Sequence, residues 1–511
     1  MATEREWREA SDMRRSTATL AAIIVVAAVL RFWSLSAGIP YAIGDDEPQV
    51  MNRSVGMVRS GDFNPHFFDY PGLYLYVQAA VVVVRFLAGA TAGEWASLDQ
   101  AHTPDFYLWG RAVTALLGTA TVALVFFIGM RWGTRHALLA AGLLAVMPLH
   151  VRESHFVLTD VPVTFFVTLA MLLSLRAHEH PRASAYLWAG AAAGLAAATK
   201  YTGGMALLLP LIAVWMTPAT RPSRLAGALA AIGGAAAAFL LAAPYTIIDL
   251  PGFLNGYAKL MGSYTGSAPG EAPAVTYLKH LRMALWWPGF LAVIGGVIFA
   301  VVRAIRGPGR VRWTLAIAFP VVYFWLLSKQ TLVFGRYLLP LVPFLCVLAA
   351  TAIVSGVSLL RRFSIPRLPR TLLITALTIA VLLPPMVTSV SANRMLGSQT
   401  AADAYAWIRA NVPEKSSIVI ESNRLTLVGA PYTSSNVRQL RDKTYDDYAT
   451  AQVDYLVASS QCYGNYFAEP HRFPKEYAEY MRLFTQAQEV ARFTPPPGKL
   501  WPELIIFRVS Q

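Results

Sequence analysis

Long apolar runs, interrupted by short arginine clusters, constrain this chain more than any other feature. Residues 17–36 form the first run, and a helix of about twenty predominantly apolar residues crosses the hydrocarbon layer of a bilayer. Comparable runs recur at 108–130, 137–152, 161–177, 185–200, 203–218, 225–247, 284–303, 313–328, 337–360 and 371–390. The shorter ones fit with tilt or local thinning of the bilayer. Only 14% of the 511 residues are charged, against roughly 25% in a soluble domain. The expected fold class is therefore a polytopic α-helical membrane protein of about eleven spans.

The cations set the expected topology. Arg14/Arg15, Arg131/Arg135, Arg176/Arg182, Arg221/Arg224, Arg303 to Arg312 and Arg361 to Arg370 fall on alternate connections. Positively charged loops stay in the cytoplasm, so the N-terminus is expected inside and the C-terminus outside. The same distribution accounts for the net charge of +14 and excludes nucleic acid as a partner. Residues 71–92 resist this scheme, since a full span there would invert every later loop. They are read as a surface or re-entrant helix within a long outer loop, 37–107, with a twelfth span as the alternative. The first run is long enough to remain an anchor, and no small-residue cleavage site follows it. Cys346 lies in an apolar run and Cys462 in the tail, so no disulfide framework is expected.

After residue 390 the composition changes, which divides the chain into a membrane domain, 1–390, and an outer domain, 391–511. Residues 400–410 carry apolar side chains at helical spacing, and Asn411-Val412-Pro413 ends that helix. The runs 416–422, 454–459 and 503–510 read as strands, which makes the tail a small α/β domain. Ala-rich runs such as 225–243 imply close packing of helices through small residues.

The candidate chemistry lies on the expected outer connections. Asp45-Asp46-Glu47 follows the first span, and ionisable groups at a membrane boundary mark a site by default. Mutual repulsion raises the pKa of at least one of three adjacent carboxylates, and a carboxylate against an apolar wall can serve as a general base. Asp160 precedes another span, where it either binds a ligand or caps the helix that Pro162 begins. Lys200-Tyr201 and Arg336 are cations on the outer face, placed either to snorkel to lipid phosphate or to converge on an anionic ligand. His66 to Tyr74 is an aromatic-rich stretch containing Tyr70; it is an interfacial belt or a platform for sugar rings. Arg152 and His155 stand in the connection before Asp160. Without a close third ligand the histidines there make a weak metal site.

In this order and on these faces, the residues resemble the GT-C glycosyltransferases, specifically the bacterial branch similar to protein O-mannosyltransferases and to the aminoarabinose transferases of lipid A. The resemblance rests on Asp46-Glu47, Tyr70-Pro71-Gly72-Leu73-Tyr74, Arg152…Ser154-His155…Asp160-Val161-Pro162, Lys200-Tyr201, Arg336-Tyr337-Leu338-Leu339-Pro340 and the tail segment Ala406 to Pro413. It implies a GT-C fold in a bacterial cytoplasmic membrane. It also implies transfer of a sugar from a polyprenyl-phosphate donor to a glycan, lipid or protein acceptor on the outer face. By this resemblance Asp46 is the general base, with Glu47 orienting the acceptor and Asp45 an alternative base. Lys200 and Arg336 would bind the donor phosphate. Asp160, His155, Arg152, Tyr70, Tyr201 and His66 would line the substrate site. The first outer loop lacks the basic residue that relatives often carry before the Pro-rich segment, and Arg85 or Arg111 is the expected substitute. The resemblance requires no cofactor, and a divalent ion between Asp46 and Asp160 is left open. A flippase for a lipid-linked glycan and a non-catalytic assembly protein are the rival readings.

Overall fold

The computed structural model describes residues 4–41, 44, 46–218, 220–264, 271–360, 370–396, 400–422, 425–427, 429–497 and 502–509. Asp45, Arg361, Arg362 and Arg367 lie outside the described residues. The chain divides into two compact units. The first comprises residues 1–33, 53–83 and 110–390; the second comprises 34–52, 84–109 and 391–511.

The helices are α1 (Glu4–Phe32), α2 (Glu47–Ser60), α3 (Gly72–Thr91), α4 (Pro104–Gly129), α5 (Thr134–Val146), α6 (Pro148–Glu153), α7 (Asp160–Glu179) and α8 (Ala183–Thr199). They continue with α9 (Leu208–Met216), α10 (Arg221–Ala242), α11 (Tyr245–Ile248), α12 (Leu250–Tyr264), α13 (Pro273–Arg306), α14 (Arg310–Leu327), α15 (Val342–Leu360) and α16 (Arg370–Met395). Among the described residues, nine helical stretches are long and apolar enough to cross a membrane by length and composition. The protein is thus a multi-pass membrane protein.

Two expected spans take a different form, and the segment expected as a surface or re-entrant helix qualifies as a span. Residues 137–152 form two helices, because Pro148 lacks an amide hydrogen and restarts the chain as α6. Residues 203–218 begin as a 3-10 helix, Tyr201–Leu207, that passes into α9. Gly203 sits so close to α8 that a Cβ would overlap the Ala196 carbonyl. Residues 71–92 form the single unbroken helix α3, which by length and composition also qualifies as a span. In α13, Trp286 takes a left-handed conformation (φ 56°) two residues before Pro288, and the helix kinks there.

The small-residue packing is concrete. A Cβ on Gly190 or Gly194 of α8 would overlap the Ala231 or Ala235 carbonyl of α10, and one on Gly234 would overlap the Leu187 carbonyl. The two backbones touch through glycine and alanine, as membrane helices do when dispersion drives their association. This contact holds α8 in place, and α8 ends at the residue before Lys200.

In the second unit, α17 (Thr400–Asn411), α18 (Tyr445–Thr450), α19 (Ser460–Ala468) and α20 (Pro474–Gln486) accompany a five-stranded sheet. Its strands are β1 (Ser417–Glu421), β2 (Thr433–Val437), β3 (Tyr455–Ser459), β4 (Gln488–Phe493) and β5 (Leu504–Arg508), in the order β2-β1-β3-β5-β4. β1 pairs parallel with β2 and β3, while β5 pairs antiparallel with β3 and β4. The period of two along β1 divides the core. Ile418 and Ile420 pack with Ala404 and Ile408 of α17, and Val419 belongs with Tyr448, Tyr480 and Leu483 on the other face. Tyr41 joins this unit, its ring 4.6 Å from that of Tyr405 and its carbonyl accepting from Thr426 N at 2.7 Å.

Candidate active site

Asp160 is the first residue of α7, and Thr159, which holds the N-cap position, makes no side-chain cap. The carboxylate of Asp160 instead faces two cations. Lys200 Nζ lies 2.7 Å from Oδ1, and Arg336 Nε lies 3.7 Å from Oδ2. Lys200 comes from the end of α8 and Arg336 from a 3-10 helix, Gly335–Leu341, that leads into α15. Three elements distant in sequence therefore meet on one carboxylate. The Asp160 side chain is only 5% exposed, so its charge is placed where only partners of opposite sign make it tolerable.

Aromatic groups complete the surroundings. Lys200 Nζ stands 4.2 Å above the Tyr337 ring, and the Arg336 guanidinium lies 4.8 Å from the Phe334 ring. The Tyr337 hydroxyl meets that of Tyr264 at 3.2 Å, and Thr202 Oγ1 meets the Tyr323 hydroxyl at 3.3 Å. Tyr201 donates to the Phe68 carbonyl at 3.0 Å, which ties the residue after Lys200 to the aromatic stretch His66 to Tyr74. Its ring packs against Phe253 and Tyr257 of α12.

Glu153, at the end of α6, is a member that the sequence reading missed. Its carboxylate is buried, with Arg152 Nε 3.7 Å away. Burial pushes its pKa up, and Arg152, Arg336, Asp160 and Lys200 are its electrostatic neighbours. Adjacency to Arg152 in the sequence hid it, because an Arg-Glu pair reads as surface charge. Arg152 itself is largely exposed.

Arg31 was also missed. It lies fully buried near the end of α1, with Nη1 donating to the Ala27 and Ala145 carbonyls and Nη2 to the Leu144 carbonyl, each at 3.0 Å. Its Nη2 also meets His150 Nδ1 at 3.0 Å. The last carbonyls of α5 lack intrahelical partners and carry partial negative charge, so they receive the guanidinium. This contact joins α1 to the α5–α6 corner from which Glu153 projects.

The other expected site residues are dispersed. His155 has both ring nitrogens at 2.8 Å from carbonyls, those of Val151 and Trp33, which holds it as a strut. His66 is exposed, with Nε2 2.9 Å from Asp62 Oδ2, and this hydrogen bond holds the Asp62 carboxyl below its usual range. The Tyr70 ring packs edge-on to Phe67. Arg111 is buried, 5.7 Å from the Phe156 ring. Arg85 belongs to the second unit, where Nη2 bonds Glu94 at 2.6 Å and the guanidinium covers Trp95. A cation does reach the aromatic loop: Arg53 of α2 lies 3.6 Å above the Phe67 ring.

Asp46 and Glu47 belong to the second unit. Glu47 begins α2, is fully buried, and accepts from Gly44 N at 2.8 Å, closing the turn that enters the helix. Among the described residues no group of three or more His, Cys, Asp or Glu is assembled to hold a metal.

Comparison with known proteins accords with this architecture. A family model described as dolichyl-phosphate-mannose-protein mannosyltransferase matches residues 63–261. No curated protein matches the chain by sequence. Among solved structures, ArnT from Cupriavidus metallidurans bound to undecaprenyl phosphate is similar at 16% identity and a TM-score of 0.60, covering 97% of this chain and 98% of that one. The oligosaccharyltransferase of Archaeoglobus fulgidus in the apo form is similar at 13% identity and a TM-score of 0.59, covering 97% of this chain and 74% of that one. At these identities the structural likeness establishes the fold. The chain thus shares the fold of ArnT and of the archaeal oligosaccharyltransferase, and over residues 63–261 it is similar to the dolichyl-phosphate-mannose-protein mannosyltransferases.

Proposed function

We propose that the protein transfers a sugar from a polyprenyl-phosphate carrier to an acceptor hydroxyl at the outer face of a bacterial cytoplasmic membrane, with inversion at the anomeric carbon. The observation that carries this reading is the pair of cations, Lys200 and Arg336, held on one buried carboxylate, Asp160. With Arg152 and Glu153 counted, three cations stand against two carboxylates, which leaves positive charge for a phosphate. The Tyr337 ring and neighbouring tyrosine hydroxyls offer a face and hydrogen bonds suited to a sugar. Undecaprenyl phosphate bound to the ArnT relative supports a lipid phosphate as the donor's anionic part.

The chemistry follows from these groups. The acceptor oxygen attacks the anomeric carbon as the bond from that carbon to the phosphate oxygen breaks. The bonding pair leaves on the phosphate, whose growing charge meets Lys200 and Arg336. The acceptor proton passes to the Asp46 carboxylate, and Glu47 fixes the backbone turn that presents it. Charge that appears only as the bond breaks is what preorganised cations stabilise best, and losing one such contact typically costs ~3 kcal/mol.

The test is to offer the purified full-length protein a panel of radiolabelled polyprenyl-phosphate sugars. Transfer or slow donor hydrolysis is expected with one of them. Asp46→Asn should abolish turnover while donor binding persists. Unchanged turnover in Asp46→Asn removes that residue as the base, and flux of lipid-linked glycan without any sugar transfer replaces the enzyme with a flippase.

A further inference from the structure

A cavity lies at the end of the α7–α8 pair opposite Asp160 and Lys200. α7 starts at Asp160 and α8 returns to finish beside Lys200, so the turn that joins them stands one helix length away. At 1.5 Å per residue that distance is about 30 Å, close to the hydrocarbon thickness of a bilayer. The turn therefore sits at headgroup level in the other leaflet.

A cavity of about 340 Å³ opens there, lined by Arg131, Arg176, Glu179, His180, Arg182 and Trp188. Glu179 is already committed: its two oxygens receive Arg131 Nε and Nη2, each at 3.0 Å, while Arg131 Nη1 donates to the Phe127 carbonyl at 2.6 Å. Arg176 and Arg182 are exposed, and no carboxylate pairs with either among the described residues. Three guanidinium groups thus face one carboxylate. Trp188, 64% exposed, carries the cavity's lining along α8 beyond the charged groups. Tryptophan at this depth anchors at the boundary between headgroups and acyl chains.

We propose that this cavity binds the phosphate headgroup of an anionic phospholipid, in the leaflet opposite the Asp160–Lys200–Arg336 cluster. Arg176 and Arg182 take the phosphate oxygens, Arg131 is pre-oriented beside them by Glu179, and Trp188 packs on the glycerol and upper acyl region. Guanidinium forks match phosphate geometry, and basic pockets between membrane helices recruit such lipids. Two surplus positive charges favour a lipid with two phosphodiesters over one with a single phosphate. The exposed Trp188 in the lining commits the site to a lipid and not to a free phosphate. The site is separate from the transfer chemistry and stands without it.

Native mass spectrometry of the full-length protein, released from nanodiscs of phosphatidylcholine doped with cardiolipin or phosphatidylglycerol, tests this. Wild type should retain cardiolipin most strongly. The R176Q/R182Q variant should bind it about thirtyfold more weakly, from the contribution of two surface cations. Equal retention by wild type and variant overturns the proposal. So does a wild type without preference for anionic lipid over phosphatidylcholine, a comparison that needs no variant to fold. Displacement of the retained lipid by millimolar glycerol phosphate would assign the site to a soluble phosphate and overturn it likewise.

Discussion

At the scale of single residues, the informative event is the convergence of Lys200 and Arg336 on Asp160. Each was legible in the sequence as an isolated charge at the end of an apolar run. Their pairing was not, because Lys200 lies 40 residues from Asp160 and Arg336 much farther. Asp160 pairs with both cations and thereby fixes where they stand. Lys200→Met should lower kcat about a hundredfold, in line with removal of one preorganised contact. Asp160→Asn should also impair turnover, and the double variant should lose less than the sum of the two. Kinetics of the three variants give a coupling energy, expected at about 0.5–3 kcal/mol for groups in contact; strict additivity would show that the pair does not act together. Glu153 and Arg31 illustrate what residue-level reading misses. Both are ionisable groups whose burial follows from neighbours contributed by other elements.

At the scale of elements, small residues place the site. α8 delivers Lys200 and touches α10 through Gly190 and Gly194. A side chain at Gly194 would meet backbone, which cannot rotate away, so Gly194→Leu should destabilise the bundle by about 3 kcal/mol or more, at the upper end of overpacking penalties. Thermal unfolding of the variant in detergent, with turnover measured alongside, checks this; an unchanged midpoint would mean that α10 yields. The sheet of the second unit carries a different signature. Glu421, at the end of β1, is fully buried and accepts from Leu440 N and Ser459 N at 2.8 Å and from the Tyr480 hydroxyl at 2.5 Å. Burial pushes its pKa up to about 7. The folded state thus favours the protonated form. Its stabilising contribution is complete below the ordinary glutamate range and is lost as pH rises through about 7. The full loss amounts to about 3 kcal/mol. Hydrogen exchange in β1 and β3 of the intact protein, corrected for intrinsic rates, should show weaker protection at pH 8 than at pH 5. Glu421→Gln should flatten that dependence and cost about 1–3 kcal/mol, because an amide nitrogen would face a donor. Strands β1, β3 and β5 were legible as apolar runs. β2 and β4 were not, since they form the sheet's edges, β2 being mostly polar and β4 polar at half its positions.

At the scale of the whole molecule, hydropathy and the placement of arginine foretold a multi-pass membrane protein with a small α/β domain at its C-terminal end. The orientation can be checked with the two natural cysteines. Cys346 is buried in α15, whereas Cys462 lies in α19 of the second unit and is partly accessible. A membrane-impermeant maleimide applied to intact cells should label Cys462 and spare Cys346; labelling only after permeabilisation would put the second unit on the cytoplasmic side. What the sequence determined by itself was local: which stretches leave water, since transfer of an apolar run depends on its own side chains, and which charges stand at their ends. Tertiary structure alone decided which of those charges share a carboxylate. It also gathered residues 34–52 and 84–109 with the tail, and put Arg31 and Glu153 out of reach of water. The reason is physical. The energy of a buried charge is set by partners that packing brings from distant parts of the chain, and no window along the sequence contains them.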